Sequence, residues 1–415
     1  MLAMRKTPAG HQPRRVLDAE VRAGLKRWPV TAILGPRQCG KTTLAQSLAV
    51  PPSHFFDLEN ATDLSRLGNN PMGVLGALRG VVVIDEIQRM PELFTLLRPL
   101  ADRAGAPARF VVLGSVAPAL ARGVSESLAG RVRFVDMGGF DLAEVGARHL
   151  DRLWWRGGYP RAFLAQGDAA AREWMDNVVR ALRERDLPAM VQSRLSSVQL
   201  GRLLTLLAHF HGQHWNSSEA ARTLDVDYKT VQRYVELMAG AFLLRVVPAY
   251  FKNTGKRLRK AHRLYLRDSG LLHSLLGLAT FDHLLAHPKL GASWEGFAIE
   301  QVIRLLRVRE DQCFHWSVAS GPEVDLVVEA PGGPFGFEMK YTDRPGATSS
   351  MHTGLSDLGL KRLYVIYPGE KDFPLTEKIE VVAMKNLPLL KLSGRITPIV
   401  DPQVFAAAGG ARSLT

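Results

Sequence analysis

The chain has 415 residues, 46% of them hydrophobic and 22% charged, a balance that excludes a disordered or fibrous protein and leaves room for two or three domains. Two cysteines, Cys39 and Cys313, exclude a disulfide framework, and no stretch reaches the roughly eighteen apolar residues of a membrane span, so a cytoplasmic protein with no membrane partner is expected. The formal net charge of +13 divides into +6 over residues 1–150, +9 over 151–280 and −2 over 281–415, which makes an acidic polymer the natural partner of the first two thirds.

The opening MLAMRKTPAGHQPRR has no apolar core of the kind a signal peptide needs. Residues 16–27 have the spacing of a short amphipathic helix, and Val30–Leu34 is a β-branched apolar run that reads as a strand. Directly after it, Gly35-Pro36-Arg37-Gln38-Cys39-Gly40-Lys41-Thr42 satisfies the phosphate-binding pattern G-x-x-x-x-G-K-[ST], and residues 43–49 have helical character. Strand, glycine loop, helix is the context that pattern requires. In such a Walker A loop the residues from Gly35 to Thr43 take ATP. Backbone N–H groups hold the phosphates, Lys41 reaches the β and γ oxygens, and the Thr42 hydroxyl ligates Mg²⁺. Cys39 stands at a variable position and has no chemistry of its own.

Val81-Val82-Val83-Ile84-Asp85-Glu86 suits a buried parallel strand that delivers two acids to its C-terminal edge, the Walker B pattern. Asp85 is expected to hold the Mg²⁺ shell and Glu86 to polarise the attacking water, so hydrolysis is expected rather than binding alone. Residues 91–104 read as a helix, and 108–115 as a further apolar strand whose terminal Ser115 emerges beside the two acids, placed to sense the γ-phosphate or orient the water. Residues 132–136 give another strand. Alternating strands and helices imply a parallel sheet covered on both faces.

The motifs GPRQCGKT, VVVIDEIQ, VVLGS, SLAGRV and WWRGGYPRAFL stand in the order of a family of prokaryotic AAA-type ATPases (AAA-14-like) that resembles the chain almost end to end and closes with a domain of unknown function, DUF-4143. The resemblance implies an α/β fold with a P-loop AAA+ core over 1–150, a helical lid or linker over 151–200 that starts near Trp154, and a homo-oligomer such as a hexameric ring. It also implies an Arg131 that acts on a γ-phosphate, as an arginine finger or at a subunit boundary. On the residues alone, Arg131 is equally a surface arginine at a strand entrance. By the same resemblance Gly157-Gly158-Tyr159-Pro160 lies near the adenine; read by itself it is a turn between helices.

The middle of the chain, 201–280, reads as a winged helix. Residues 203–209 form a helix, 216–224 a capped helix, 225–227 a tight turn and 228–238 a second helix that offers Tyr228, Lys229, Thr230, Gln232 and Arg233 near its start while Val231, Tyr234, Val235 and Met238 pack inward. Residues 245–267 then carry eight Lys or Arg and no acid, as a basic wing would. Lys229, Arg233, Lys256, Arg257, Arg259 and Lys260 are the expected contacts to DNA phosphates, with little sequence preference. The other reading is a solvated face on a packing module between subunits.

Residues 281–415 begin with a helix, 291–309, followed by strands at 313–318, 323–329 and 335–340. Asp325 with Glu338-Met339-Lys340 looks like the D…(D/E)xK signature of restriction-endonuclease-type folds. On a strand, Glu338 and Lys340 share a face, so Asp325 and Glu338 can share a Mg²⁺ while Lys340 orients the attacking water. Glu295 shares a stripe with Ile299, Val302 and Leu306 and is the fourth expected site residue. Glu300 aligns with Arg304 and Arg307 and reads as an ordinary surface ion pair. Related domains keep this fold for DNA binding alone, and a structural version pairs Lys340 with Asp325 or Glu338 and needs no metal. A helical segment at 354–360, strands at 362–367 and 379–383, and a small polar tail from 406 complete the chain. The leading expectation is an ATP-dependent protein acting on branched or junction DNA. The alternative is a nucleotide-dependent switch or scaffold for a protein partner, of signalling or toxin-antitoxin type, with a non-catalytic C-terminal domain.

Overall fold

A computed structural model of the chain describes residues 12–105, 107–115, 128–190, 195–251, 261–319 and 321–390. They fall into two compact units divided between Gly139 and Phe140, with Gly240–Phe242 counted to the first. Among the described residues no helix is long and apolar enough to cross a membrane.

Unit 1 is built on β1 (Val30–Leu34), β2 (Phe55–Asp57), β3 (Val81–Asp85), β4 (Arg109–Gly114) and β5 (Val132–Asp136), in the order β2-β3-β4-β1-β5 and parallel throughout. Every residue of β1 is buried, as a strand covered on both faces requires. The period-two alternation then sorts the apolar side chains. Val30, Ala32, Val82, Ile84, Phe110 and Val112 pack with Leu93 and Leu97 of the helix Glu92–Ala101, and Ile33, Val83, Val111 and Leu113 pack with Leu17 and Val21 of the helix Arg15–Arg27 and with Leu44. Because β4 separates β1 from β3, the residue that follows β4 emerges between the glycine loop and the two acids.

Unit 2 contains the helices Leu150–Arg156, Asp168–Ala181, Ser197–His209, Ser217–Leu224 and Tyr228–Gly240, then an antiparallel pair, β6 (Leu244–Val247) and β7 (Arg263–Leu266). The helix Leu290–Leu305 leads into β8 (Cys313–Ser317), β9 (Glu323–Val328) and β10 (Phe335–Met339). The helix Ser349–Leu358 follows, then β11 (Leu363–Tyr367), β12 (Phe373–Pro374) and β13 (Ile379–Ala383), and the sheet order is β12-β13-β11-β10-β9-β8. One core joins this sheet to the middle of the chain: Trp154, Trp155 and Phe163 pack with Trp294, Phe297, Phe337 and Ile366. Trp154 also donates to Ser293 Oγ at 3.0 Å. The segment expected to open a lid at Trp154 is therefore an integral part of unit 2. Its Gly157-Gly158 turn is fixed there by Asp268, which accepts from the Gly158 N–H at 2.8 Å; a Cβ on Gly157, whose φ is +78°, would stand 2.2 Å from Asp268 Oδ1.

Candidate active site and nucleic-acid interface

The glycine loop leaves β1 at Gly35, where a Cβ would meet the Met137 carbonyl at 1.9 Å, and turns into the helix Lys41–Gln46 through Gln38 (φ 63°) and Gly40 (φ 99°). Only glycine fits the first position and it is favoured at the last. Lys41 is buried, and its Nζ donates to the carbonyls of Gly35 at 2.9 Å and Pro36 at 2.8 Å. Arg37, Gln38 and Thr42 are exposed, Thr43 is half-buried and Pro36 is buried. Cys39 packs in the core and its thiol donates to the Met137 carbonyl at 3.3 Å, which explains its lack of chemistry. Sequence reasoning missed Arg14: its buried guanidinium donates to the carbonyls of Cys39 at 3.1 Å, Gly138 at 2.8 Å and Gly139 at 2.7 Å, tying the loop to the segment after β5. A lone arginine before a helix gives no signal of that task.

The two Walker motifs meet directly. Thr42 Oγ1 donates to Asp85 Oδ2 at 2.6 Å, and Asp85 Oδ1 accepts from the Glu86 N–H at 2.9 Å. Burial pushes the Asp85 carboxyl up to about 6 against the bond from Thr42, and the neighbouring charge of Glu86 adds to the push. A buried acid beside a hydroxyl is a hard-oxygen donor set of the kind Mg²⁺ takes, so the residues present fit the cation. Glu86 has left-handed backbone (φ 52°), uncommon for a residue with a side chain. Ser115 Oγ, emerging from β4 as expected, donates to Glu86 at 3.0 Å and 3.3 Å.

Arg131 is not part of this constellation. Val30 pairs with Val132 and Leu34 with Asp136, so Arg131 sits at the entry edge of the sheet and the loop at its exit edge, about 16 Å away at ~3.3 Å per residue. Its guanidinium is bidentate to Asp102 at 2.6 and 2.8 Å. Arg131 therefore does not reach the nucleotide of its own chain and stands, as its alternative reading had it, as an exposed arginine at a strand entrance.

In unit 2, β9 and β10 bring Asp325, Glu338 and Lys340 together, and the helix Leu290–Leu305 adds Glu295. The acids are paired with cations of the chain itself, although Glu338 Oε1 and Arg263 Nε are buried without a hydrogen-bond partner. Arg263 from β7, which sequence reasoning missed, reaches Asp325 at 3.3 Å, Glu295 at 3.4 Å and also Glu323. Tyr265 donates to Glu295 at 2.6 Å, the Met339 N–H donates to Asp325 at 2.9 Å, and Lys340 Nζ pairs with Glu338 at 2.8 Å. Burial, then the charge of Asp325, raises the carboxyls of Glu295 and Glu338 above the usual range. Lys340 is held above its usual value by Asp325 and Glu338 although burial works against it. Among the described residues no group of three or more His, Cys, Asp or Glu forms a metal site. The expected Mg²⁺ at Asp325 and Glu338 does not fit these side chains as they stand, because Asp325 is paired with Arg263 and Glu338 with Lys340, the second being the metal-free pairing that the sequence left open. Glu300 corrects a second expectation. It is buried, and its close partners are Arg245 at 2.7 Å and Arg267 at 2.9 Å, with the charge of Arg304 a smaller contribution.

The two-helix element stands as the sequence implies. Asn216 caps Ser217–Leu224 by accepting from Ser218 and Glu219, Asp225 turns the chain with φ 52°, and Tyr228, Lys229, Gln232 and Arg233 are exposed while Val231, Tyr234, Val235 and Met238 are buried. Lys256, Arg257, Arg259 and Lys260 lie outside the described residues.

A parallel sheet with its glycine loop and acid-bearing strand separated by one further strand, and with loop hydroxyl bonded to strand carboxylate, defines a P-loop ATPase domain. Residues 27–146 match the AAA domain family; residues 147–282 and 290–387 match two domains of unknown function, DUF8612 and DUF4143. The uncharacterized proteins Rv2008c of Mycobacterium tuberculosis and Mb2031c of Mycobacterium bovis are each 44% identical over 370 residues, which cover 89% of this chain and 83% of theirs. The chain belongs to the family of these mycobacterial proteins. Among solved structures, the Walker-type ATPase PABY2304 of Pyrococcus abyssi aligns over 65% of this chain and 98% of its own length, with 15% identity and a TM-score of 0.48.

Proposed function

We propose that the chain hydrolyses ATP with Mg²⁺ at the loop of unit 1 and acts on DNA through unit 2. The bond between Thr42 and Asp85, with Glu86 held beside it by Ser115, carries the first half of this reading. Lys41 would leave the loop carbonyls for the β and γ oxygens, and Thr42 and Asp85 would hold the Mg²⁺. Bound there, the cation would neutralise phosphate charge. Glu86 takes the proton of the attacking water and Ser115 fixes that carboxylate. Lys41→Ala should abolish nucleotide binding, whereas Glu86→Gln should keep binding and slow turnover by orders of magnitude. Normal turnover by Glu86→Gln refutes the assignment of the base. Arg131, far from its own loop, serves catalysis only in a homo-oligomer, such as a hexameric ring, in which it reaches another copy's nucleotide.

The exposed Tyr228, Lys229, Gln232 and Arg233, followed by an antiparallel pair whose connection holds five further Lys or Arg residues, support a winged-helix contact to DNA phosphates. The order helix, three strands, helix, strand from 290 to 367 supports a nuclease-like C-terminal fold, with branched DNA as the preferred ligand. Arg263 among its acids favours binding without cleavage. Incubating the parent, Asp325→Asn and Lys340→Ala with branched DNA and Mg²⁺ or Mn²⁺ tests this: cleavage by the parent that both substitutions remove would overturn the non-cleaving reading.

A further inference from the structure

We propose that Gln88 is a second catalytic residue of the ATPase site, whose side-chain carbonyl holds the attacking water against Glu86. The inference rests on the hydrolysis reading above. The chain turns sharply after β3: Glu86 takes φ 52°, Ile87 is anchored in the core, and the short turn Ile87–Arg89, closed by the Arg89 N–H on the Glu86 carbonyl at 3.0 Å, brings the Gln88 side chain back over Glu86. Gln88 Nε2 then donates to Glu86 Oε2, while Ser115 Oγ donates to Oε1. Facing a carboxylate, a glutamine amide must present its NH₂ end, so its oxygen is the end that Glu86 leaves unengaged. That oxygen, Oε1, is buried and has no hydrogen-bond partner. A buried acceptor without a donor is costly, and beside a catalytic base it marks where a donor arrives.

An attacking water supplies that donor. Its oxygen lone pair forms the bond to the γ-phosphorus as the bond from phosphorus to the β,γ-bridging oxygen breaks. One of its protons passes to Glu86, and its other O–H stays intact. Two acceptors fix the direction of the lone pair, whereas Glu86 alone leaves the water free to rotate about one hydrogen bond. Gln88 Oε1 is the second acceptor, and Gln88 Nε2 holds the Glu86 carboxylate in the matching orientation.

Gln88→Met keeps the length and volume of the side chain and removes both polar ends. Its kcat for ATP should fall about 10- to 100-fold with KM and thermal midpoint unchanged, as expected when a hydrogen bond made to the reacting water is lost. Binding of ADP with beryllium fluoride, which imitates the ground state, should match the parent, and binding of ADP with aluminium fluoride, which imitates the in-line transition state, should weaken by a similar factor. Gln88→Asn, which retains the amide on a shorter arm, should recover part of the lost rate. Unchanged kcat in Gln88→Met, or equal weakening of both fluoride complexes in either variant, overturns the proposal in favour of a packing role. A parent that binds ATP and never turns it over would overturn the hydrolysis reading and this inference together, an outcome distinct from a parent that turns over and a Gln88→Met protein that does so equally well.

Discussion

Glu300→Gln tests a buried ion-pair cluster away from the ATPase site. The Glu300 carboxylate accepts from Arg245 Nε at 2.7 Å and from Arg267 Nη2 and Nε at 2.9 and 3.0 Å. The other acid nearby, Glu310, is 67% exposed and touches the two arginines at 3.0 and 3.5 Å. Burial opposes both guanidinium charges; Glu300 and Glu310 still hold Arg245 above its usual value, whereas Arg267, beside Arg245, falls below its own. Burial also opposes the Glu300 charge, and the two arginines nevertheless bring its carboxyl from 4.5 down to about 2. At ~1.4 kcal/mol per unit that difference stabilises the folded chain by roughly 3 kcal/mol. Removing one partner of a buried ion pair costs about 3–5 kcal/mol by an independent route. An amide of the same shape leaves both guanidinium groups short of charge, so the thermal midpoint should fall by roughly 10 °C at neutral pH. Tryptophan fluorescence reads this transition, since Trp28 is the one tryptophan of the seven outside unit 2. The pH dependence has a definite sign. A depressed carboxyl contributes its stability above 4.5 and loses it as pH falls toward 2, so the gap between parent and variant should close across that window. A loss under about 1 kcal/mol, against the 3–5 expected for a broken buried pair, or a gap that stays constant through the window, would refute the reasoning.

Gly35→Ala places a methyl group 1.9 Å from the Met137 carbonyl and should abolish binding of a fluorescent ATP analogue; retained affinity would mean that the loop is not set by that contact. Lys229→Ala with Arg233→Ala should weaken binding to all DNA sequences alike and flatten the plot of log affinity against log salt by roughly two, at just under one unit for each lost phosphate contact. An unchanged slope would remove the exposed face of that helix from the interface. Arg263→Ala leaves Glu295, Glu323 and Asp325 without their shared guanidinium, so its thermal midpoint should drop and then partly recover on adding Mn²⁺, while that of the parent should respond neither to Mn²⁺ nor to a chelator. Because Thr42 and Asp85 also suit a divalent cation, the comparison is repeated with Asp85→Asn in both proteins, and stabilisation of that otherwise unchanged protein by Mn²⁺ would show that the acids of unit 2 take a metal after all.

What the sequence made legible follows from how local each feature is. The loop, Asp85, Glu86 and Ser115 are readable because strand periodicity and parallel topology fix where each strand ends, and the chemistry sits at those ends. The inward residues of the helix Tyr228–Gly240 are readable for the same reason, helical spacing. Arg131 was legible as a residue at a strand entrance, and parallel pairing puts that entrance at the sheet edge opposite the loop; its role toward a γ-phosphate came from the family resemblance and not from the strand pattern. Glu300 and the partners of Asp325 and Glu295 were misread by one shared cause: Arg245, Arg263 and Arg267 come from β6, β7 and the residue after it, far away in sequence, and periodicity says nothing about which remote side chain pairs with an acid, whereas the Lys340–Glu338 pair, local in sequence, was legible as the metal-free alternative. A carboxylate on a helix with arginines four and seven residues on reads as a surface pair only if no buried guanidinium competes for it. Arg245, with Glu300 at 2.7 Å, does compete, and Arg263 claims Asp325 at 3.3 Å in the same way. Acidic motifs thus specify where positive charge must collect in unit 2, and the two strands of the β6–β7 pair, which the sequence presents as part of a DNA-binding wing, also supply that charge.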